Sequence, residues 1–204
     1  MTGAETLAIL KGVIMKRAFL FVLVLLSVTC FASGKVHWGY EGHEGPSNWG
    51  SLSEDFYLCE SGVSQSPVNI ETGKAVTVSM EQVKFSYRKS DINLLNNGHA
   101  LQANYDSGSY ITVKGKRFDL LQFHFHSPSE NTVNGSYFGM EAHLVHKSAG
   151  GELAVVGVLL KKGKENEFMK KFWSKMPDDA GKTVNVKGGF NVSEFLPGNK
   201  SYYH

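Results

Sequence analysis

The sequence predicts a mainly β, single-domain fold (α+β in the broad sense) with few helices, and three observations carry that expectation. From position 76 onward, short runs rich in Val, Ile, Phe, Tyr and Leu follow one another. Turn signals, namely Asn97-Gly98, Ser107-Gly108, Lys114-Gly115 and Gly150-Gly151, separate several of them. No internal repeat, low-complexity stretch or long linker divides the chain.

The elements follow in order. The first 34 residues read as an export leader. Met15-Lys-Arg is a basic start, 18–28 an apolar run, and Phe31-Ala-Ser-Gly34 a small-residue cleavage region. The basic pair directly after Met15 makes that methionine an alternative start, and the apolar run is short against the ~20 residues of a membrane span. A leader of this kind implies a periplasmic or secreted protein with no stable membrane anchor once it is cleaved. The body, 35–204, is long enough for one core. Residues 37–69, rich in Gly, Ser, Asn, Pro and aromatics, are expected to form an irregular arm on the surface. Strands are expected at 83–87, 92–95, 99–105, 110–113, 118–126, 140–146 and 153–160. A helix is expected over 165–176, where Phe168, Phe172, Trp173 and Met176 recur at helical spacing before Pro177.

Composition narrows the function. Of 21 basic and 19 acidic residues, the leader takes three and one, so the body carries eighteen of each. No basic stripe or charge run points to nucleic acid, and a small substrate is the expectation. Cys59 is the sole cysteine beyond the leader, unusual for an exported chain.

The chemistry-bearing pattern is Gln122-Phe-His-Phe-His126 with Met140-Glu-Ala-His-Leu-Val-His146. Alternation along a strand puts His124 and His126 on one face, about 7 Å apart, and His143 on a second strand can complete a triad. A His-x-His pair alone is also a plain core motif. The apolar strand around it and the third histidine move the reading to metal, because buried imidazoles need partners. Zinc held by three protein ligands keeps a fourth position for water, which suits hydrolysis or hydration. Glu141, His143 and Val145 share a face, and His146 points to the other, so His146 is expected to be a core or surface histidine rather than a ligand.

These residues resemble the α-class carbonic anhydrases. The likeness continues in order through His37-Trp-Gly-Tyr40, Gly45-Pro46 with Trp49, Ser64-Gln-Ser-Pro-Val-Asn-Ile70, Leu95-Asn-Asn-Gly-His-Ala100, Glu152-Leu-Ala-Val-Val-Gly157 and Leu196-Pro-Gly-Asn-Lys-Ser-Tyr-Tyr203. The resemblance implies a large, mostly antiparallel, twisted ten-stranded sheet with zinc in a conical cleft. It implies reversible hydration of carbon dioxide to bicarbonate and a proton by zinc-bound hydroxide. Carried over by position, His124, His126 and His143 match the zinc ligands, with Gln122 and Glu141 orienting His124 and His143. His99 matches the proton shuttle; Tyr40, Asn97 and Gln102 match the ordered-water path; Val145, Leu153 and Val155 match the apolar carbon dioxide wall. Glu130 matches the buried glutamate of the hydroxide-orienting network. In the family, a Gly-Ser-Leu-Thr-Thr-Pro-Pro-Cys-type segment follows the point where this sequence stops. The expectation is therefore C-terminal truncation, with Glu130 and Cys59 both lacking their partners. Two other readings follow: a zinc-binding fragment with little turnover, or a non-catalytic binding module, the latter disfavoured because all three histidines are present.

Overall fold

Apolar residues alternating with polar ones build one large antiparallel sheet in the computed structural model, which describes residues 36–198 and 202. The expected leader, Cys30 and His204 lie outside the described residues. The strands are β1 (Asn69–Ile70), β2 (Lys84–Ser86), β3 (Ser90–Asn96), β4 (Leu101–Tyr105), β5 (Tyr110–Val113), β6 (Lys116–His126), β7 (Thr132–Val133), β8 (Ser136–Tyr137), β9 (Met140–Lys147), β10 (Leu153–Leu160) and β11 (Thr183–Phe190). The main sheet runs β10-β9-β6-β4-β3-β11, with β5 on β6 and β2 on β5, eight strands among the described residues against the ten the resemblance implies. A small separate sheet joins β1, β7 and β8.

Residues 37–69 form short turns of helix rather than a wholly irregular arm: 3-10 turns, α1 (Trp49–Leu52) and α2 (Leu58–Ser61), none with a buried residue. The expected 165–176 helix is one turn long, α3 (Glu167–Lys170), followed by a 3-10 turn at Trp173–Lys175. Asn166 caps α3 by accepting from the N–H groups of Phe168 and Met169. At Phe172 the backbone leaves helical geometry (φ −135°). The spacing identified the buried ring positions, since Phe168 and Phe172 are core residues, but Trp173 is partly exposed.

One face of the sheet carries the core. Leu94, Ala103, Leu120, Phe123, Ala142 and Leu144 pack there against Phe168, Phe172, Val192 and Phe195. A register shift against β9 between Leu120 and Gln122 decides which residues join it. Strict alternation would put Leu120 and Phe123 on opposite faces; the bulge at Leu121 resets the parity, and both are buried. Leu121 itself is exposed. The same reset aims Gln122, His124 and His126 at the opposite, open face.

Candidate metal centre

Three imidazoles meet on that open face because adjacent central strands set them side by side. His124 of β6 lies directly opposite His143 of β9, and His126 lies opposite Glu141. Ring centroids are 4.8 Å apart for His124–His126, 5.3 Å for His124–His143 and 4.8 Å for His126–His143. One nitrogen from each falls within 4.8 Å of the others. The rings thus converge more closely than the roughly 7 Å backbone spacing suggests.

Hydrogen bonds leave one particular nitrogen of each ring facing inward. His124 Nδ1 bonds Gln122 Oε1 at 2.9 Å, so Nε2 carries the lone pair. His143 Nε2 lies 3.2 Å from Glu141 Oε1, which leaves Nδ1. His126 Nε2 is buried and has no hydrogen-bond partner among the described residues. A buried acceptor without a donor is costly, and a cation shared with the two neighbouring lone pairs removes that cost. Three neutral imidazoles suit zinc. Electrostatics agree: burial, then its two neighbours, hold His124 down to about 4, and burial lowers His126. Neutral rings are the form that binds a metal.

Glu141 is fully buried and fixed from several sides. Its Oε2 accepts from the N–H groups of Glu130 (3.0 Å) and Asn131 (2.8 Å), and Oε1 accepts from Asn131 Nδ2 (2.7 Å). Burial alone would raise its pKa; hydrogen bonds from His143 and Asn131 outweigh burial and bring it to about 2. A permanent carboxylate therefore stands behind His143.

Glu130 meets two groups of the described chain. The Tyr40 hydroxyl donates to its Oε1 at 2.6 Å, and His126 Nδ1 is 3.5 Å from the same oxygen. Tyr40, expected on the water path, donates to the carboxylate beside the histidines. Asn97 and Gln102 stay together: Asn97 Nδ2 donates to Gln102 Oε1 (3.3 Å), and Gln102 Nε2 donates to Asn104 Oδ1 (2.7 Å). Gln102 is the register neighbour of His124.

His99 sits in a turn before β4, not in the strand expected over 99–105. Asn97 Oδ1 accepts from the N–H groups of His99 and Ala100, and Gly98 takes φ +90°. Its exposed ring stacks on Trp38, 4.1 Å between centroids and 8° from parallel. Trp38 was missed by sequence reasoning, since no periodicity links it to His99. His99 and His126 both line a groove of about 340 Å³ that Phe125, Met140 and Trp173 also border. Val145 faces Val155 across β9 and β10. Of the expected wall, Val155 is 52 % and Leu153 64 % exposed; among the described residues β10 pairs on one side only, with β9. His146 is fully buried on the core side; its Nε2 accepts from the Tyr87 hydroxyl (2.9 Å) and Nδ1 donates to the Ala154 carbonyl (3.2 Å). Cys59 is exposed and free.

The sequence model of the eukaryotic-type carbonic anhydrases matches residues 44–204. A carbonic anhydrase of Klebsiella pneumoniae is 41 % identical over 189 residues, covering 92 % of this chain and 75 % of the relative. One from Neisseria gonorrhoeae is 42 % identical over 189 residues, covering 90 % and 74 %. Among solved structures, the α-carbonic anhydrase of Thermovibrio ammonificans with sulfanilamide superposes with a TM-score of 0.79 at 40 % identity, covering 83 % of this chain and 75 % of that one. The Photobacterium profundum α-carbonic anhydrase gives 0.73 at 36 %, covering 80 % and 73 %. On this evidence the chain belongs to the eukaryotic-type, α-class carbonic anhydrase family.

Proposed function

We propose that this chain hydrates carbon dioxide reversibly to bicarbonate and a proton, with zinc held by His124, His126 and His143. The observation that carries the reading is the buried, unpartnered His126 Nε2 facing two imidazoles whose other nitrogens are already engaged. Bound zinc supplies a water acidified to about pKa 7, a value established for carbonic anhydrase itself.

The rest falls to the protein's own groups. Gln122 orients His124, and Glu141 orients His143, so each ring turns its other nitrogen towards the metal position. Glu130, held by Tyr40, keeps a carboxylate beside His126 and His143, where it orders a polar hydrogen on the reacting side. Val145, Val155 and Leu153 offer carbon dioxide, a molecule without a net dipole, an apolar flank beside His143. The amides of Asn97 and Gln102 support water between the site and His99, whose exposed imidazole passes protons to solvent. Export to the periplasm or the medium fits the leader-like 1–34; among the described residues no helix is long and apolar enough to cross a membrane.

A second reading, zinc binding with little turnover, is supported by the exposure of Leu153 and Val155, which opens the apolar flank to water. Stopped-flow hydration followed by a pH indicator separates the two. The first reading expects zinc-loaded protein to exceed the buffer rate and chelator-stripped protein not to. Zinc near one per chain with a rate equal to buffer establishes the second.

A further inference from the structure

One residue closes on both oxygens of Glu141, the carboxylate that holds His143. Asn131 gives its backbone N–H to Oε2 (2.8 Å) and its side-chain Nδ2 to Oε1 (2.7 Å). Glu141 is only 1 % exposed there, so water does not compete for these bonds. The buried Ser129 hydroxyl donates to the Asn131 carbonyl (2.7 Å) and steadies its backbone. The remaining polar atom of the Asn131 side chain, Oδ1, accepts from the N–H of Val68 (2.8 Å), 63 positions earlier. A carboxamide has two ends of similar shape, one a donor and the other an acceptor. The Val68 N–H can only donate, so it takes the oxygen and leaves the nitrogen for the carboxylate. Turned over, the amide would set an oxygen against Glu141 and an N–H against an N–H. A distant segment of the chain therefore chooses the sense of this amide.

That segment, 68–72, is docked along the chain that follows Asn131. β1 runs parallel to β7, with Asn69 beside Thr132 and Ile70 beside Val133. The Thr132 N–H donates to the Val68 carbonyl (3.1 Å), and the Asn134 N–H to that of Ile70 (3.0 Å). Asn69 Oδ1 accepts from the Gly135 N–H (2.8 Å) and the Thr132 hydroxyl (2.9 Å). Asn134 Oδ1 accepts from the Thr72 N–H (2.9 Å). We propose that Asn131 is a positioning residue for the metal centre and that docking of 68–72 sets it, so that the segment and the zinc site are energetically coupled. The inference rests on zinc binding by His124, His126 and His143. When the segment leaves, Asn131 loses the donor that fixes its sense, Glu141 loses its amide donor, and the 3.2 Å contact with His143 slackens. Coupling between sites is reciprocal, so bound zinc in turn holds the segment down.

Zinc titration of the full chain against a chromophoric chelator, with a double-mutant cycle, tests the proposal. Asn131→Ala should weaken zinc binding about tenfold. Asn69→Ala removes two docking bonds while leaving Asn131 and Glu141 in place, and should weaken it about fivefold. The two losses share one route, so the double variant should match Asn131→Ala within about twofold, whereas independent effects would multiply to about fiftyfold. Asn191→Ala is the control: its Oδ1 also accepts two bonds, from the N–H and hydroxyl of Ser193, and its loss should leave zinc affinity unchanged. Should Asn131→Ala not fold, Asn131→Asp keeps an oxygen for Val68, turns the other on Glu141, and should weaken binding at least as much. Hydrogen exchange gives a second readout: saturating zinc should slow the Thr132 and Asn134 amides in the parent and leave them unslowed in the Asn131 variant. A parent that binds zinc would overturn the coupling alone, leaving the hydration reading standing, in any of three cases. These are Asn131 variants within about twofold of it, losses that multiply, or Thr132 and Asn134 amides indifferent to zinc. A parent that binds no zinc overturns both.

Discussion

Gly157→Ala should weaken zinc binding without touching a ligand. Gly157 lies opposite His143 across β9 and β10. A Cβ there would sit 2.8 Å from Glu141 Oε1 and 3.8 Å from His143 Cδ2. Ordinary contact begins roughly half an ångström further out, so the carboxylate must retreat. It is poorly free to do so, because two backbone N–H groups and the Asn131 amide hold it at 2.7–3.0 Å. The longest of its bonds, the 3.2 Å contact with His143 Nε2, is the one that gives way. Loss of a partner that orients a metal-binding histidine costs about 10–100-fold in affinity, or roughly 1.4–2.7 kcal/mol. Titration against a competing chromophoric chelator at neutral pH reads this directly. Gly139→Ala is the control, since its Cβ would meet only the Leu160 carbonyl at 3.7 Å. A Gly157→Ala protein that folds and binds zinc within about twofold of the parent would refute the reasoning.

Three more outcomes are expected. Tyr40→Phe removes the donor to Glu130 and should lower unfolding free energy by about 1 kcal/mol in urea titration; an unchanged midpoint and slope would contradict that role. His146 titrates near 4 in the fold because of burial, below the ~6.5 of an unfolded chain. The unfolded chain therefore binds more protons between those values, and stability should fall as pH drops through that window. The His146 share is about 2 kcal/mol between pH 7 and pH 5, so zinc-free His146→Gln should lose that much less than its parent; equal losses would sink the assignment. Phe172→Ala should cost about 3–5 kcal/mol in the same titration, because the buried ring meets Phe123, Phe168 and Phe190, while Trp173→Ala should cost much less.

What the sequence revealed follows from which interactions are local. His124, His126 and His143 were legible because two-residue alternation and turn signals fix a face and an edge. The same logic separated His146 from the triad, and the structure puts it on the core side with Tyr87. Parity was not legible at Leu121, since a bulge leaves no mark in an apolar run. Strand β11 was overlooked: Thr183-Val-Asn-Val186 alternates, but the lysine and glycines that follow hide its continuation. The aromatic spacing of 165–176 overstated the helix because burial of rings, not backbone propensity, set that spacing. Tyr40 with Glu130 spans 90 positions, and Trp38 stacks on His99 from a distant segment. Contacts of that range depend on the completed fold.

Zinc K-edge X-ray absorption on the zinc-loaded chain tests the central claim most directly. Three imidazoles on one metal ion per chain, with a single additional light ligand at about 2.0–2.1 Å, is the spectrum the His124, His126 and His143 geometry predicts. Fewer than three imidazoles, or a spectrum unchanged by His143→Ala, would contradict it.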